Sequence, residues 1–274
     1  MKNKLGVMQG RFVESEKKNK IQYFPEKNWQ LEFKLANHLK INTIEWTVNY
    51  QNLNKNPLYN GQLEEIKILK KKYKINIKSV TCDFFMEKPF FKKKFYKKKN
   101  LYLNILLRVL RNGKKIGINY FILPLVDKAS IQNLNEEKKA IIGLKNILVK
   151  IQDSTRLLLE TDYEPSKVIN FIEKFKSYKV GINYDTGNSA SLGYNFYEEL
   201  RYFKYVKNIH IKDRILNGKS TRLGTGAWDY KNFFLGLKKI NYKKNLILQT
   251  ARSKSGRHLE EIVYSINFVK KFYV

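Results

Sequence analysis

Four side chains, each near the end of an apolar run, make a ligand set for a divalent cation. They are Glu160 in "RLLLETD", Asp185 in "VGINYDTGN", His210 in "KNIHIKD" and Gln249 in "NLILQTA". Two carboxylates, one neutral imidazole and one amide oxygen form a mixed oxygen and nitrogen set. Such a set suits Mn²⁺, Mg²⁺, Co²⁺ or Zn²⁺, and the two carboxylates balance the charge of one such ion. The same carboxylates also suit the capping of a following helix or a salt bridge at the rim. Gln249 differs from the others: its carbonyl can hold a metal, but its amide cannot exchange a proton near neutral pH.

Other runs end in polar groups too. Arg11, Lys212, Arg214 and Arg252 are cations at run ends. Arginine pairs bidentately with phosphate or carboxylate, so these four point to a sugar phosphate or an acidic sugar. Neutralisation of Asp213 and neighbouring carboxylates is the simpler alternative. Glu45 and Asp83 are placed to reach the same bowl, or to bond rim backbone. Asp213 joins them as a polar group facing substrate. Trp46, with Phe84, offers an apolar wall for a sugar ring, or packs into the protein. The two glycines of "RLGTGAWDY" (222–230) let backbone approach a ligand, and Cys82 reads as a small buried residue.

Parallel strands covered on both faces read as short, near-continuous apolar runs. Eight occur: 4–10, 42–46, 77–85, 120–127, 156–162, 180–188, 207–213 and 245–251. Helical spacings lie between them, as in Leu63, Ile66, Leu69 and Tyr73. Val168, Ile169, Ile172 and Phe175 follow Pro165, a residue favoured at helix starts. Ile262, Ile266 and Val269 close the chain. This alternation predicts an α/β fold, a parallel eight-stranded (β/α)8 TIM barrel forming a single domain over 1–274. A doubly wound sheet would carry a glycine-rich turn after the first strand, and "MQGRFVES" has one glycine. In a barrel, all the polar groups above gather at the C-terminal rim.

The bulk composition narrows the class. A 274-residue chain that is 43% hydrophobic supports a sizeable core. No apolar run reaches the roughly 20 residues that span a bilayer. The basic start has too short an apolar stretch for a signal peptide. A single cysteine excludes an internal disulfide framework, which fits a cytoplasmic protein with no membrane association. The net charge of +30 favours anionic partners, yet its lysines are spread along the chain and read as a solvated surface. The local exception, "FFKKKFYKKKN" (90–100), interleaves aromatics with lysines. It reads as an exposed helix with its aromatics turned inward rather than as a nucleic-acid cleft.

The stretches "LLLETD", "GINYDTGN", "NIHIKD" and "RLGTGAWDY" follow the order and spacing of the xylose-isomerase-like TIM barrels, and the chain resembles that superfamily from "GVMQGR" to its last helix. The superfamily holds sugar and sugar-phosphate isomerases and epimerases, inosose dehydratases and apurinic-site endonucleases. The resemblance implies a metal held by Glu160, Asp185 and His210. It implies a fourth ligand, normally glutamate, at Gln249. It further implies a proton abstracted beside a carbonyl and an enediolate stabilised by the cation, with Glu160 as acid and base. The glutamates of the fifth and eighth strands serve the two faces of the substrate in an epimerase. With Gln249 in the second position, one base remains, as in aldose–ketose isomerisation, unless Glu45 or Asp83 supplies another. A barrel that only binds a sugar, or an inosose-type dehydratase, are the alternatives. The endonuclease branch resembles a three-zinc site rich in histidine. This chain has three histidines in all, and His38 and His258 read as helix residues, so a nucleic-acid substrate is disfavoured. Homo-oligomers are common in the superfamily, though no stretch here identifies an interface.

Overall fold

The computed structural model describes residues 5–15, 22–151, 154–253 and 255–273. Lys4 and the basic start before it lie outside the described residues. The eight apolar runs form eight strands: β1 Leu5–Met8, β2 Ile44–Thr47, β3 Ser79–Thr81, β4 Tyr120–Leu125, β5 Arg156–Thr161, β6 Val180–Asp185, β7 Val206–Ile211 and β8 Asn245–Leu248. They pair in parallel and close a barrel in the order β1-β8-β7-β6-β5-β4-β3-β2. Helices fill the connections, so the strand–helix alternation read from the sequence is the TIM barrel. A two-stranded antiparallel ribbon, Asp213–Arg214 with Ser220–Thr221, rises after β7.

Successive residues on a strand face opposite ways, and here the two faces differ in chemistry. Outward residues pack under the helices. Trp46 is fully buried there, with ring centroids 5.6 Å from Phe24, 5.5 Å from Trp29 and 6.4 Å from Phe33. Its indole donates to Asn56 Oδ1 at 3.0 Å. Tyr184 occupies the matching place on β6, among Phe196, Phe203, Trp228 and Phe233. Each such side chain stabilises the fold by about 1.5–3 kcal/mol. The inward face turns polar toward the C-terminal ends: Glu45; Ser79 and Thr81; Glu160; Asn183 and Asp185; Asn208 and His210. Strand register places His210 beside Asp185 on one side and Ile247 on the other, so the strand ends deliver these groups at similar depth.

The turn after β1 needs glycine. Gly10 has φ +84°, and a Cβ there would lie 2.5 Å from the Tyr23 carbonyl. Its N–H donates to Glu32 Oε1 at 2.6 Å, and the Phe12 N–H donates to the same oxygen at 3.3 Å. Glu32 belongs to the helix Trp29–His38 and is fully buried. Burial pushes its carboxyl up to about 8, against those two hydrogen bonds and the charges of Arg252 and Arg11.

The lysine-rich stretch 90–100 is helical in part. Phe90 and Phe91 are buried, Lys92 pairs with Glu136 at 2.7 Å, and short helical turns at Lys93–Tyr96 lead into the helix Lys99–Lys115. The aromatics at its start point inward, as the amphipathic reading predicts. No helix among the described residues is long and apolar enough to cross a membrane.

Candidate metal centre at the barrel mouth

Glu160, Asp185 and His210 each offer a ligand atom, and the three atoms lie within 4.8 Å of one another. The imidazole is fixed from behind. His210 Nε2 is 2.6 Å from Glu45 Oε1. Glu45 also accepts from Ser79 Oγ at 2.6 Å, Thr81 Oγ1 at 2.7 Å and Asn208 Nδ2 at 3.0 Å. A carboxylate holding Nε2–H leaves Nδ1 to face the other two acids. Nδ1 lies 3.4 Å from Glu160 Oε2 and 3.9 Å from Asp185 Oδ2.

Two influences compete at Nδ1. Burial pulls the imidazole down, but the charges and hydrogen bonds of Glu45 and Glu160 outweigh it and raise His210 to about 10. Asn183 acts the other way. Its Oδ1 accepts from Asn208 at 2.8 Å, which turns its amide NH₂ toward Glu160 Oε2 at 2.7 Å and His210 Nδ1 at 3.0 Å. That amide favours a bare lone pair on Nδ1. A metal cation satisfies both influences, because it is a positive charge that binds the lone pair.

Asp185 caps a helix with one carboxylate oxygen and leaves the other uncommitted. Its Oδ1 accepts from the backbone N–H groups of Gly187 at 2.7 Å and Asn188 at 3.1 Å, capping the turn Thr186–Leu192. Its Oδ2 is buried with no hydrogen-bond partner. Lys212 Nζ is 3.8 Å from that oxygen. Burial raises the Asp185 carboxyl, and Lys212 opposes this. Gln249 lies one residue past β8, where its N–H pairs with the Ile211 carbonyl at 3.0 Å. Its Oε1 is also buried and unpartnered. Buried oxygens without partners are rare in folded proteins. Two such oxygens, a carboxylate and an amide carbonyl, fit the donor set of a hard or borderline divalent cation.

A cavity of about 1250 Å³ opens over this cluster, lined among others by Asp83, Glu160, Asn188, Lys212, Arg214, Gln249 and Arg252. Glu160 is steadied by Asn183 at Oε2 and by Asn188 Nδ2 at Oε1, 2.9 Å away. Arg214 donates from Nε to the Gly218 carbonyl at 2.9 Å and reaches Asn188 Oδ1 at 3.4 Å.

Several expected site residues are placed elsewhere. Glu45 stands behind His210, fully buried, with its oxygens engaged by four side chains; it cannot turn to a substrate without breaking them. Trp46 faces the helices rather than the bowl. Asp213 accepts from the backbone N–H groups of Arg214, Gly224, Gly226 and Trp228 at 2.9–3.3 Å, so it organises the loop after β7. The glycines of "LGTG" serve that carboxylate and the core: a Cβ on Gly226 would lie 2.2 Å from Asp213 Oδ1, and one on Gly224 would lie 2.5 Å from the Phe268 ring. Arg11 is buried with Nε on the Thr250 carbonyl at 2.9 Å, and burial beside Arg252 lowers it to about 9. Arg252 lines the cavity while donating to the Val13 carbonyl at 3.0 Å.

Ser79, Thr81, Asn183 and Asn208 carry the architecture behind the cluster, and sequence reading missed them. A signal existed in their spacing. Ser79, Thr81 and Asp83 alternate, as do Asn183 and Asp185, and Asn208, His210 and Lys212. Polar residues at every second position of an apolar strand mark the inward face.

An eight-stranded parallel α/β barrel with a buried Glu–Asp–His cluster at its C-terminal mouth defines the class of protein. The chain belongs to the xylose isomerase-like TIM barrel family, whose model matches residues 33–272. No curated protein matches the chain. Among solved structures it is similar to an IolI protein with a bound zinc atom, at 15% identity and TM-score 0.75, covering 98% of this chain and 99% of that one. A D-allulose 3-epimerase from Methylomonas sp. in complex with D-allulose gives 11% identity and TM-score 0.73, covering 98% and 97%. The 3-keto-D-glucoside 4-epimerase YcjR from E. coli gives 14% identity and TM-score 0.70, covering 96% and 99%.

Proposed function

We propose that this protein is a divalent-metal-dependent isomerase or epimerase of a carbohydrate, working on a sugar phosphate or acidic sugar. The observation that carries the reading is the meeting of Glu160, Asp185 and His210 Nδ1, with buried unpartnered oxygens on Asp185 and on the cavity-lining Gln249. The sugar epimerases among the structural neighbours, one of them with D-allulose bound, support the substrate class.

Glu160, Asp185, His210 and Gln249 would hold a single divalent ion, of the Mn, Mg, Co or Zn kind. When bound, it supplies Lewis-acid polarisation of a substrate carbonyl and the hydroxyl beside it. Asn183 and Asn188 hold the Glu160 carboxylate in place. From there Glu160 takes a proton from carbon and returns it to the same carbon or its neighbour. Lys212, Arg214 and Arg252 bring three cations to a cavity wall that also carries Asp83, Glu87, Asp127 and Glu160, and these cations suit a phosphate or carboxylate on the substrate.

Titration of chelator-treated protein with Mn²⁺ or Zn²⁺ tests the centre, and D185A with H210A should abolish uptake. Solvent deuterium exchange into ketoses and ketose phosphates tests the chemistry, and E160Q should slow it by about 10²–10⁴-fold. Sugar binding with metal uptake but no exchange would leave a binding-only barrel. A chain that takes up no metal would remove the reading.

A further inference from the structure

Glu160 works from one side of a bound sugar, and Gln249 cannot move a proton. A second proton carrier would have to be another ionisable group on the cavity wall. Glu45 is excluded by its four hydrogen bonds behind His210. Asp213 is engaged by four backbone N–H groups. Lys212 lies 3.8 Å from Asp185. Elsewhere on the wall, Glu14 and Asp127 are exposed, His258 is half-buried at the start of the last helix, and Glu87 accepts the Tyr50 N–H at 2.7 Å. Asp83 differs from all of these. It follows Thr81 by two residues and so continues the inward face of β3 past the strand end. It lines the same cavity as Glu160, and it is only 2% exposed. Its Oδ2 is buried with no hydrogen-bond partner.

We propose that Asp83 is the second catalytic acid–base group, serving the face of the substrate carbon that Gln249 cannot, and that the protein is therefore an epimerase. The inference rests on the proposed metal-dependent sugar chemistry. Glu160 removes the proton from the carbon beside the carbonyl, and the C–H electron pair moves into a carbon–carbon double bond as the carbonyl electrons shift onto oxygen. Asp83, as the carboxylic acid, gives its proton to the opposite face of that carbon. The electrons on oxygen then re-form the carbonyl. Glu160 ends protonated and Asp83 ends as a carboxylate, and exchange with solvent resets both. No redox partner is needed.

The surroundings agree with a proton-carrying Asp83. Burial, then the charges of Glu87 and Glu160, push its carboxyl well above the usual range; Arg11 and His210 oppose this without reversing it. A carboxyl held neutral in a water-poor wall is the kind of group that delivers a proton. Because Oδ2 makes no protein hydrogen bond, Asp83→Asn keeps the shape and breaks no hydrogen bond at that atom.

The test uses the metal-loaded full chain in D₂O with D-fructose, D-fructose 6-phosphate and D-ribulose 5-phosphate, followed by NMR. The wild type is expected to invert a carbon beside the carbonyl of one of these and to place deuterium there. D83N is expected to lose inversion by about 100-fold or more, while still washing deuterium into the substrate through Glu160 and binding Mn²⁺ as the wild type does. D83E is expected to recover part of the inversion, which separates a catalytic role from a folding defect. Inversion by D83N at the wild-type rate would overturn the role of Asp83. Wild-type exchange that yields only the aldose would do so as well, and would leave the metal-dependent reading standing. A metal-loaded wild type that exchanges no proton in any of the three sugars would overturn both.

Discussion

The inner wall of the barrel mouth has two sides that are equally buried and differently finished. Behind His210, Glu45 gathers Ser79, Thr81, Asn208 and the imidazole onto one carboxylate. Around the cavity, Asp83 Oδ2, Asp185 Oδ2 and Gln249 Oε1 accept no protein hydrogen bond. A buried polar atom left unpaired costs about 1–3 kcal/mol. The back wall recovers that cost within the protein. The front wall does not, and these oxygens lie on strand ends where a cation and a polyhydroxylated ligand would complete them. The back wall thus fixes one imidazole, and the front wall leaves oxygens that the proposed metal and sugar would complete.

The comparison breaks most visibly at Glu45. Glu45→Ala would leave His210, two hydroxyls and an amide without their acceptor, in a place that water does not reach. Loss of one partner from a buried charged pair costs about 3–5 kcal/mol. Urea denaturation of the metal-free protein should show a loss of that size. Asp83→Asn, on the front wall, should change the midpoint little. Equal losses at the two positions would mean that the walls do not differ in kind.

Glu32 sharpens the contrast, because its Oε2 is also bare yet lies outside the barrel mouth. The folded protein keeps a proton on Glu32 up to about pH 8, whereas the unfolded chain releases it near 4.5. Between those values the folded state binds more protons, so stability falls as pH rises from about 4.5 to 8. Glu32→Gln keeps an oxygen for the Gly10 and Phe12 N–H groups and removes the titration. The variant should gain roughly 3–4 kcal/mol relative to the wild type between pH 5 and pH 8. A pH dependence identical to that of the wild type would show that Glu32 stays ionised beside Arg11 and Arg252.

A subtler change at Glu45 separates aim from stability. Glu45→Gln keeps a carbonyl oxygen but presents an NH₂ group to some of its four donors. The imidazole then loses the charge that holds Nε2–H toward it. Residues that orient a metal-bound histidine typically contribute about 10–100-fold to affinity. Mn²⁺ titration should weaken by that factor in E45Q, and an unchanged affinity would remove the back wall from the metal site.

These distinctions explain how much was legible in the sequence. The eight strands were, because an apolar run covered on both faces stands out between helical periods. The meeting of Glu160, Asp185 and His210 was, because each ends such a run and the resemblance to the xylose-isomerase-like barrels groups them. The direction of a side chain was harder. Glu45 and Trp46 are neighbours on β2, and a strand sends neighbours to opposite faces, so both could not face the bowl. Alternation with Ser79 and Thr81, and with Asn208 and His210, identifies Glu45 as the inward one. Its depth was not readable, because depth depends on how far each strand is staggered in the closed barrel. Asp213 was read as a ligand contact because the loop that wraps it lies about ten residues downstream, and only the folded chain brings the N–H groups of Gly224, Gly226 and Trp228 onto it. Glu32 was hidden in an ordinary amphipathic helix, where a single acid gives no hint that a glycine turn 22 residues earlier will bury it.

The smallest effect is expected at Gln249, and it bears most directly on the front wall. Gln249→Leu replaces the amide by an apolar group of similar size. If Oε1 is a bare acceptor kept for a ligand, its removal relieves a desolvation cost, and the metal-free protein should become more stable by about 1 kcal/mol. The metal-loaded protein should lose that advantage, because the cation loses one of its oxygens. The sign of the change would therefore reverse between the two forms, as read from thermal melts with and without Mn²⁺. A leucine that destabilised both forms alike would show Gln249 to be part of the scaffold, and the division of the mouth into a finished wall and an open one would fail at β8.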